Sequence, residues 1–223
     1  MRRRTRAATL AVVTVAVLAL AGIAAAAYTT PKLSVLYSGN VTRIVASASV
    51  NDDSTARAAI YVPAGTSLPG ALTPGTKVGT VNAQVSALAL GGALLPLTGD
   101  INVAPAGAVP AASQTACIGA EVPSATLLLV LQAAGQTLNV PAYLVTNTGA
   151  DAAIGPAKLV ICLPPPDVPV ASGGATFGAK FLSADMSFTG VFGSVATGAW
   201  VGVWVPYQAG NGQTNLPGTV ASP

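Results

Sequence analysis

Cys117 and Cys162 are the only cysteines of this 223-residue chain, and it contains no histidine. Those two facts narrow the chemistry. Without histidine the commonest general base and most metal ligation are missing, so serine, cysteine–histidine and zinc hydrolases have no support. No Gly-x-Ser-x-Gly elbow, Ser-x-x-Lys dyad or phosphate-binding glycine loop ending in Gly-Lys occurs either. What remains for acid–base work is seven carboxylates: Asp52, Asp53, Asp100, Glu121, Asp151, Asp167 and Asp185. Glycoside hydrolysis needs two of them across one bond, but most sit beside turn residues, and turn formation is their expected role. Asp52-Asp53, flanked by Asn51 and Ser54, could lend oxygens to calcium. A strong calcium site needs more carboxylates at set spacing, so a solvated turn is expected there, with no metal and no cofactor.

The start of the chain sets the compartment. Arg2, Arg3, Arg4 and Arg6 precede an uncharged run from Ala7 to Ala26, and Ala25-Ala26-Ala27 offers the small-x-small site of a signal peptidase. Residues 1–27 therefore read as an export signal, and the remainder is expected to work outside the cytoplasm, secreted or at the cell surface. The run is also long enough to span a bilayer if it stays uncleaved, which is the one membrane association expected. Export places the two cysteines where thiols oxidise, so a Cys117–Cys162 disulfide is expected, with buried free thiols or an intermolecular link as alternatives. Closing the 44 intervening residues would stabilise by about 4 kcal/mol on the chain-entropy model.

The leader also distorts the charge. Four of the ten Lys+Arg lie within it, and the six that remain face seven Asp+Glu, a net charge of −1. The six are scattered, so no nucleic-acid surface is expected. Only 8% of residues are charged while 52% are hydrophobic, against about 25% charged in ordinary globular proteins.

Aromatic residues cluster late, with Trp200 and Trp204 sharing one face of a strand pattern from Gly198 to Val205 and Val201, Val203 and Val205 sharing the other. If the valines face the core, the two indoles stand exposed as a stacking platform for sugar rings. In the opposite arrangement the indoles fill the core and the valines face a second layer. Leu95-Pro96-Leu97-Thr98-Gly99 spells a sortase pattern, yet no apolar span and basic tail follow it at the carboxyl end, so it is read as coincidence. Asn40-Val41-Thr42 is a glycosylation sequon, a three-residue pattern common by chance.

The elements that position these residues read as β structure. Thr42, Ile44, Ala46, Ala48 and Val50 alternate with Val41, Arg43, Val45, Ser47 and Ser49, and Ala56 to Val62 repeats the period of two. With Asn51 to Ser54 between them, the two segments are expected to form a hairpin. Further strands are expected at 33–37, 77–85, 126–132, 137–146, 158–163, 180–188 and 198–205. The 24 glycines and 17 prolines leave little room for long helices.

Tyr143-Leu-Val-Thr-Asn147-Thr-Gly149 followed by Leu159-Val-Ile-Cys-Leu163-Pro164 resembles immunoglobulin-like repeat modules of secreted bacterial surface proteins. The segment from Ala48 through Ile60-Tyr-Val62-Pro63 echoes it, without the glycine after the asparagine. The resemblance implies an adhesive, spacer or scaffolding module and brings no catalytic residues. The expected fold is all-β, two immunoglobulin-like sandwiches at 28–108 and 109–210 divided at a Pro-containing linker, with a loose tail at 211–223. The expected function is that of a non-enzymatic secreted or surface protein with an adhesive, envelope or scaffolding role. Its partner would be another envelope or extracellular protein or a glycan. The alternative is carbohydrate binding through Trp200 and Trp204.

Overall fold

The structure is a computed structural model and describes residues 31–68, 70–207 and 219–221. The leader expected at 1–27 and most of the tail expected at 211–223 lie outside the described residues.

Eleven strands form one antiparallel sheet: β1 (Lys32–Ser38), β2 (Val41–Ser47), β3 (Thr55–Tyr61), β4 (Lys77–Ala87), β5 (Ala93–Val103), β6 (Pro123–Ala133), β7 (Gln136–Thr146), β8 (Ala157–Cys162), β9 (Ala179–Thr189), β10 (Val201–Pro206) and β11 (Thr219–Ala221). Among the described residues one α-helix, α1 (Ala111–Ile118), interrupts them. The spatial order is β1-β2-β9-β4-β5-β6-β7-β8-β3-β10-β11. Five strands are 11 residues long, about 36 Å each at the usual rise. A sheet of this many twisted strands curls. Here it curls until its two sides meet, because Leu33 on β1 and Trp204 on β10 belong to one core. The Leu33 Cδ2 atom lies 3.3 Å from where a Cβ of Gly202 would stand. The result is nearly a barrel, with one interior to which β1 through β10 all contribute.

The all-β expectation holds, but two immunoglobulin-like sandwiches are not what the sheet shows. β9 lies between β2 and β4, and β3 lies between β8 and β10, so segments from both sides of residue 108 share one sheet and one core. The hairpin expected between β2 and β3 does not form either. Both are strands, yet β2 pairs with β1 and β9 while β3 pairs with β8 and β10. The link between them carries the chain across one end, where the Lys180 ammonium donates to the carbonyls of Val50 and Asp52. Thr219–Ala221, inside the expected tail, pairs with β10.

On the outer face, α1 covers β3, β7 and β8. Cys117 and Ile118 pack with Ala59, Tyr61, Tyr143, Val145 and Val160, and Val201 and Val203 adjoin them. These strands are buried on both faces, which is why β8 reads as an apolar run rather than an alternation. The Cys117–Cys162 disulfide fastens the helix to the end of β8.

Candidate functional site

The interior is not filled along its whole length. Ala46 on β2 pairs with Ala184 on β9, which pairs on its other side with Ala83 on β4, so three inward methyl groups stand in one row across three strands. Close-packed interiors need larger side chains at such positions, and a run of alanines leaves space. A cavity of about 370 Å³ lies here, bounded by that row, by Val81, Val85, Leu97, Leu129, Leu131 and Met186, and on the far wall by Ala58, Ile60 and Trp204. The volume is in the lower part of the roughly 300–1,000 Å³ typical of small-molecule pockets. Scaling from a cavity of about 150 Å³ that takes benzene, it suits about 15 non-hydrogen atoms.

The two ends of the barrel differ. At one, Phe188, Phe192 and Trp200 are buried and stack edge to face, with ring centroids 5.6 and 5.4 Å apart, forming a plug. At the other the cavity reaches the surface, where the exposed residues Thr137, Asn139 and Pro164 border it. The β8–β9 connection crosses this mouth through Leu163, Pro164, Gly174, Ala175 and Thr176. It holds its place by hydrogen bonds from Leu163 N–H to Ala56 C=O and from the Tyr207 hydroxyl to Leu163 C=O, 2.9 and 2.5 Å. Thr137, Asn139 and Thr176 give the mouth a polar rim with the buried Thr55 just inside it, and among the described residues no charged side chain lines the cavity.

Trp204 and Phe181 are the aromatic residues of a mainly aliphatic wall, and of the two only Trp204 carries a polar atom. It is 0% exposed, and its indole Nε1–H has no acceptor among the described residues. A buried donor left unpaired costs about 1–3 kcal/mol. Three other buried polar atoms share that condition, on Thr42, Tyr143 and Asn147, and none of these residues borders the cavity. Trp204 pairs with Ala58, three residues along β3 from Thr55, so it stands roughly 10 Å below the rim.

Compared with known proteins, the chain matches no family model, no curated protein and no solved structure. The site therefore rests on its own geometry.

Trp200 and Trp204 do not form the exposed stacking pair. They are 5% and 0% exposed, and the valines beside them pack toward the outer cluster under α1. The cover that α1 lays over the outer face gives Val201 and Val203 a second layer to pack on, which leaves the inner face of β10 to the indoles. The carboxylates divide between turns and ion pairs. The Asp52 side chain accepts from the Ser49 N–H at 2.8 Å and closes the link after β2. Among the described residues no group of three or more His, Cys, Asp or Glu gathers as a metal site. Glu121 and Asp151 do come together, because the Lys158 ammonium donates to both at 2.7 Å, and the Tyr61 hydroxyl donates to Asp151 at 3.1 Å. The hydrogen bond from Lys158 is the main cause that holds the Asp151 carboxyl below its ordinary range. A general acid needs the reverse. Burial works against the charge on Lys158, but the bonds to Asp151 and Glu121 outweigh it and raise its pKa. The cluster fastens the segment after α1 to β8 and β3. Leu95 to Gly99 lies within β5, paired to β4, with Leu97 buried. A sorting peptide must be extended and free, and this one is neither.

What sequence reading missed is the alanine row. Its signal was present as small residues at the inward positions of alternating strands, Ala46 and Ala184 among them, where valine or leucine is usual.

Proposed function

We propose that this chain is an extracytoplasmic, non-enzymatic protein that holds a small, mainly apolar molecule inside its barrel-like sheet. The carrying observation is the cavity of about 370 Å³ at the row Ala46, Ala184 and Ala83, open at a polar rim and plugged at its other end by aromatic rings. An apolar interior with polar groups only at its mouth favours a ligand that buries its body and leaves any polar end in water. The leader-like start of the chain supports a place outside the cytoplasm. Among the described residues no helix is long and apolar enough to cross a membrane.

Filling the cavity tests the reading. Ala46→Leu with Ala184→Leu adds bulk where space exists, so folding and thermal stability are expected to persist. Binding of an environment-sensitive apolar dye is expected to be saturable in the natural protein and at least about tenfold weaker in the double variant, since the displaced volume is that of the ligand. Saturable binding that is equal in both proteins, or none in the natural one, would sink it.

A further inference from the structure

We infer that the molecule held in the cavity carries a neutral hydrogen-bond acceptor within its apolar body, a carbonyl or ether oxygen, and that this oxygen accepts from the Trp204 indole N–H. The inference rests on the cavity being a binding site, and it names the chemical class that the site selects.

Three observations carry it. Among the described residues Trp204 is the one that both lines the cavity and holds a buried polar atom without a partner. Its ring is held in place, because the benzo edge, Cζ3 and Cη2, folds back over Gly202 into the space that a Cβ would occupy. Nε1 belongs to the other ring of the indole, away from that edge. Finally, the wall at this depth offers no competing donor. Ala46, Ala58, Ile60, Val81 and Met186 are apolar, and the polar lining residues lie at the rim or just inside it. Indole N–H only donates, so an amine or ammonium group gains nothing from it. A carboxylate at this depth would be a buried charge, and among the described residues no cationic side chain lines the cavity to compensate it. A plain hydrocarbon fits the volume but leaves the N–H as it stands. A ketone, ester or ether satisfies it, with the acceptor roughly 10 Å from any polar end at the rim.

Dihexyl ketone and tridecane, of equal chain length and close to the size that the cavity suits, separate the cases. Each is measured by competition against the apolar dye, in the natural protein and in Trp204→Phe. The ketone is expected to bind about tenfold more tightly than the alkane in the natural protein, the value of one well-made buried hydrogen bond. In Trp204→Phe the preference is expected to vanish or reverse, because the buried ketone oxygen is left without a donor while the alkane keeps its affinity. Equal binding in the natural protein, or a ketone preference that survives the substitution, overturns the acceptor and leaves the cavity reading intact. Failure of both compounds to bind overturns both. Infrared spectroscopy of the ketone bound to the natural protein needs no variant. Its C=O stretch is expected at lower frequency than in alkane solvent, and an unshifted band counts against the bond.

Discussion

The Trp204 indole folds back over Gly202, two residues earlier on β10, and the missing Cβ of that glycine makes the room. The pair sets one wall of the cavity, so Gly202→Ala is a sharp perturbation. The added methyl would overlap the ring, which is rigid and buried, and the ring must leave its place. A loss of about 2 kcal/mol is expected from such overpacking, or a fall in Tm of about 4–8 °C. Thermal melts with near-ultraviolet circular dichroism check it; an unchanged aromatic spectrum would count against the packing described.

The disulfide fastens α1 to the end of β8, across a sequence separation of 45. Replacing Cys117 and Cys162 by serine is expected to lower stability by about 2–5 kcal/mol. The effect should be concentrated at the outer cluster, with amide exchange rising in Ala111–Ile118 and much less in β4–β6. Thiol titration of the unreduced, unfolded protein should find no free group, and two reactive thiols would refute the bridge.

Acid and alkali should each weaken the cluster around Lys158. Folded Asp151 binds its proton less readily than the ordinary residue at 3.8, because Lys158 donates to it. Its contribution is therefore present above that value and lost as the pH falls through the lower folded pKa. Lys158 is raised above 10.5, so its contribution is present below that value and lost as the pH rises through the folded pKa. Asp151→Asn is expected to cost about 1 kcal/mol at neutral pH, a modest figure because the Asp151 side chain is 34% exposed and partly screened. Urea denaturation across pH measures both limbs, and an unaltered acid limb in the variant would assign it elsewhere. Asp185, lowered by its hydrogen bond from Arg43, adds a second acid-sensitive group.

Phe192 joins Phe188 to Trp200 in the plug. Its truncation to alanine is expected to cost about 3–5 kcal/mol as a large buried ring is lost. Chemical denaturation gives the number; a loss below about 1 kcal/mol, the size of an ordinary surface change, would mean that the plug is not packed as described.

The sequence made most strands legible and their neighbours illegible. Alternation in 41–47 and the mainly apolar run in 157–162 report which side chains are buried, and those segments are β2 and β8. It cannot report which strand lies alongside, so the turn residues Asn51 to Ser54 read as a hairpin where the chain crosses the barrel end. β5 escaped notice because Pro96 and the glycines before it read as a breaker. Pro96 sits opposite Gln84 on β4, beyond the stretch where β5 pairs with β6, so its missing N–H is tolerated. α1 escaped because Ala111 to Ala116 follows a proline-containing stretch and has almost no apolar periodicity. Nothing local distinguishes an alanine that lines a cavity from one that packs. Ala46 and Ala184 acquire their meaning only from register between strands more than a hundred residues apart.

The insertion of β9 between β2 and β4 also governs the order in which the molecule can be built. A nascent chain ending at Val103 holds five strands but only two hairpins, β1–β2 and β4–β5, and β3 has neither of its neighbours. Pairing over such separations is slow, because loop entropy is lost before contacts compensate it. Until β8 and β10 emerge, β3 keeps both edges unpaired, a template for association with other chains. A fragment cut before Val201 leaves that strand with an open edge. Stable halves are therefore not expected from limited proteolysis, and the chain should persist whole or be degraded whole.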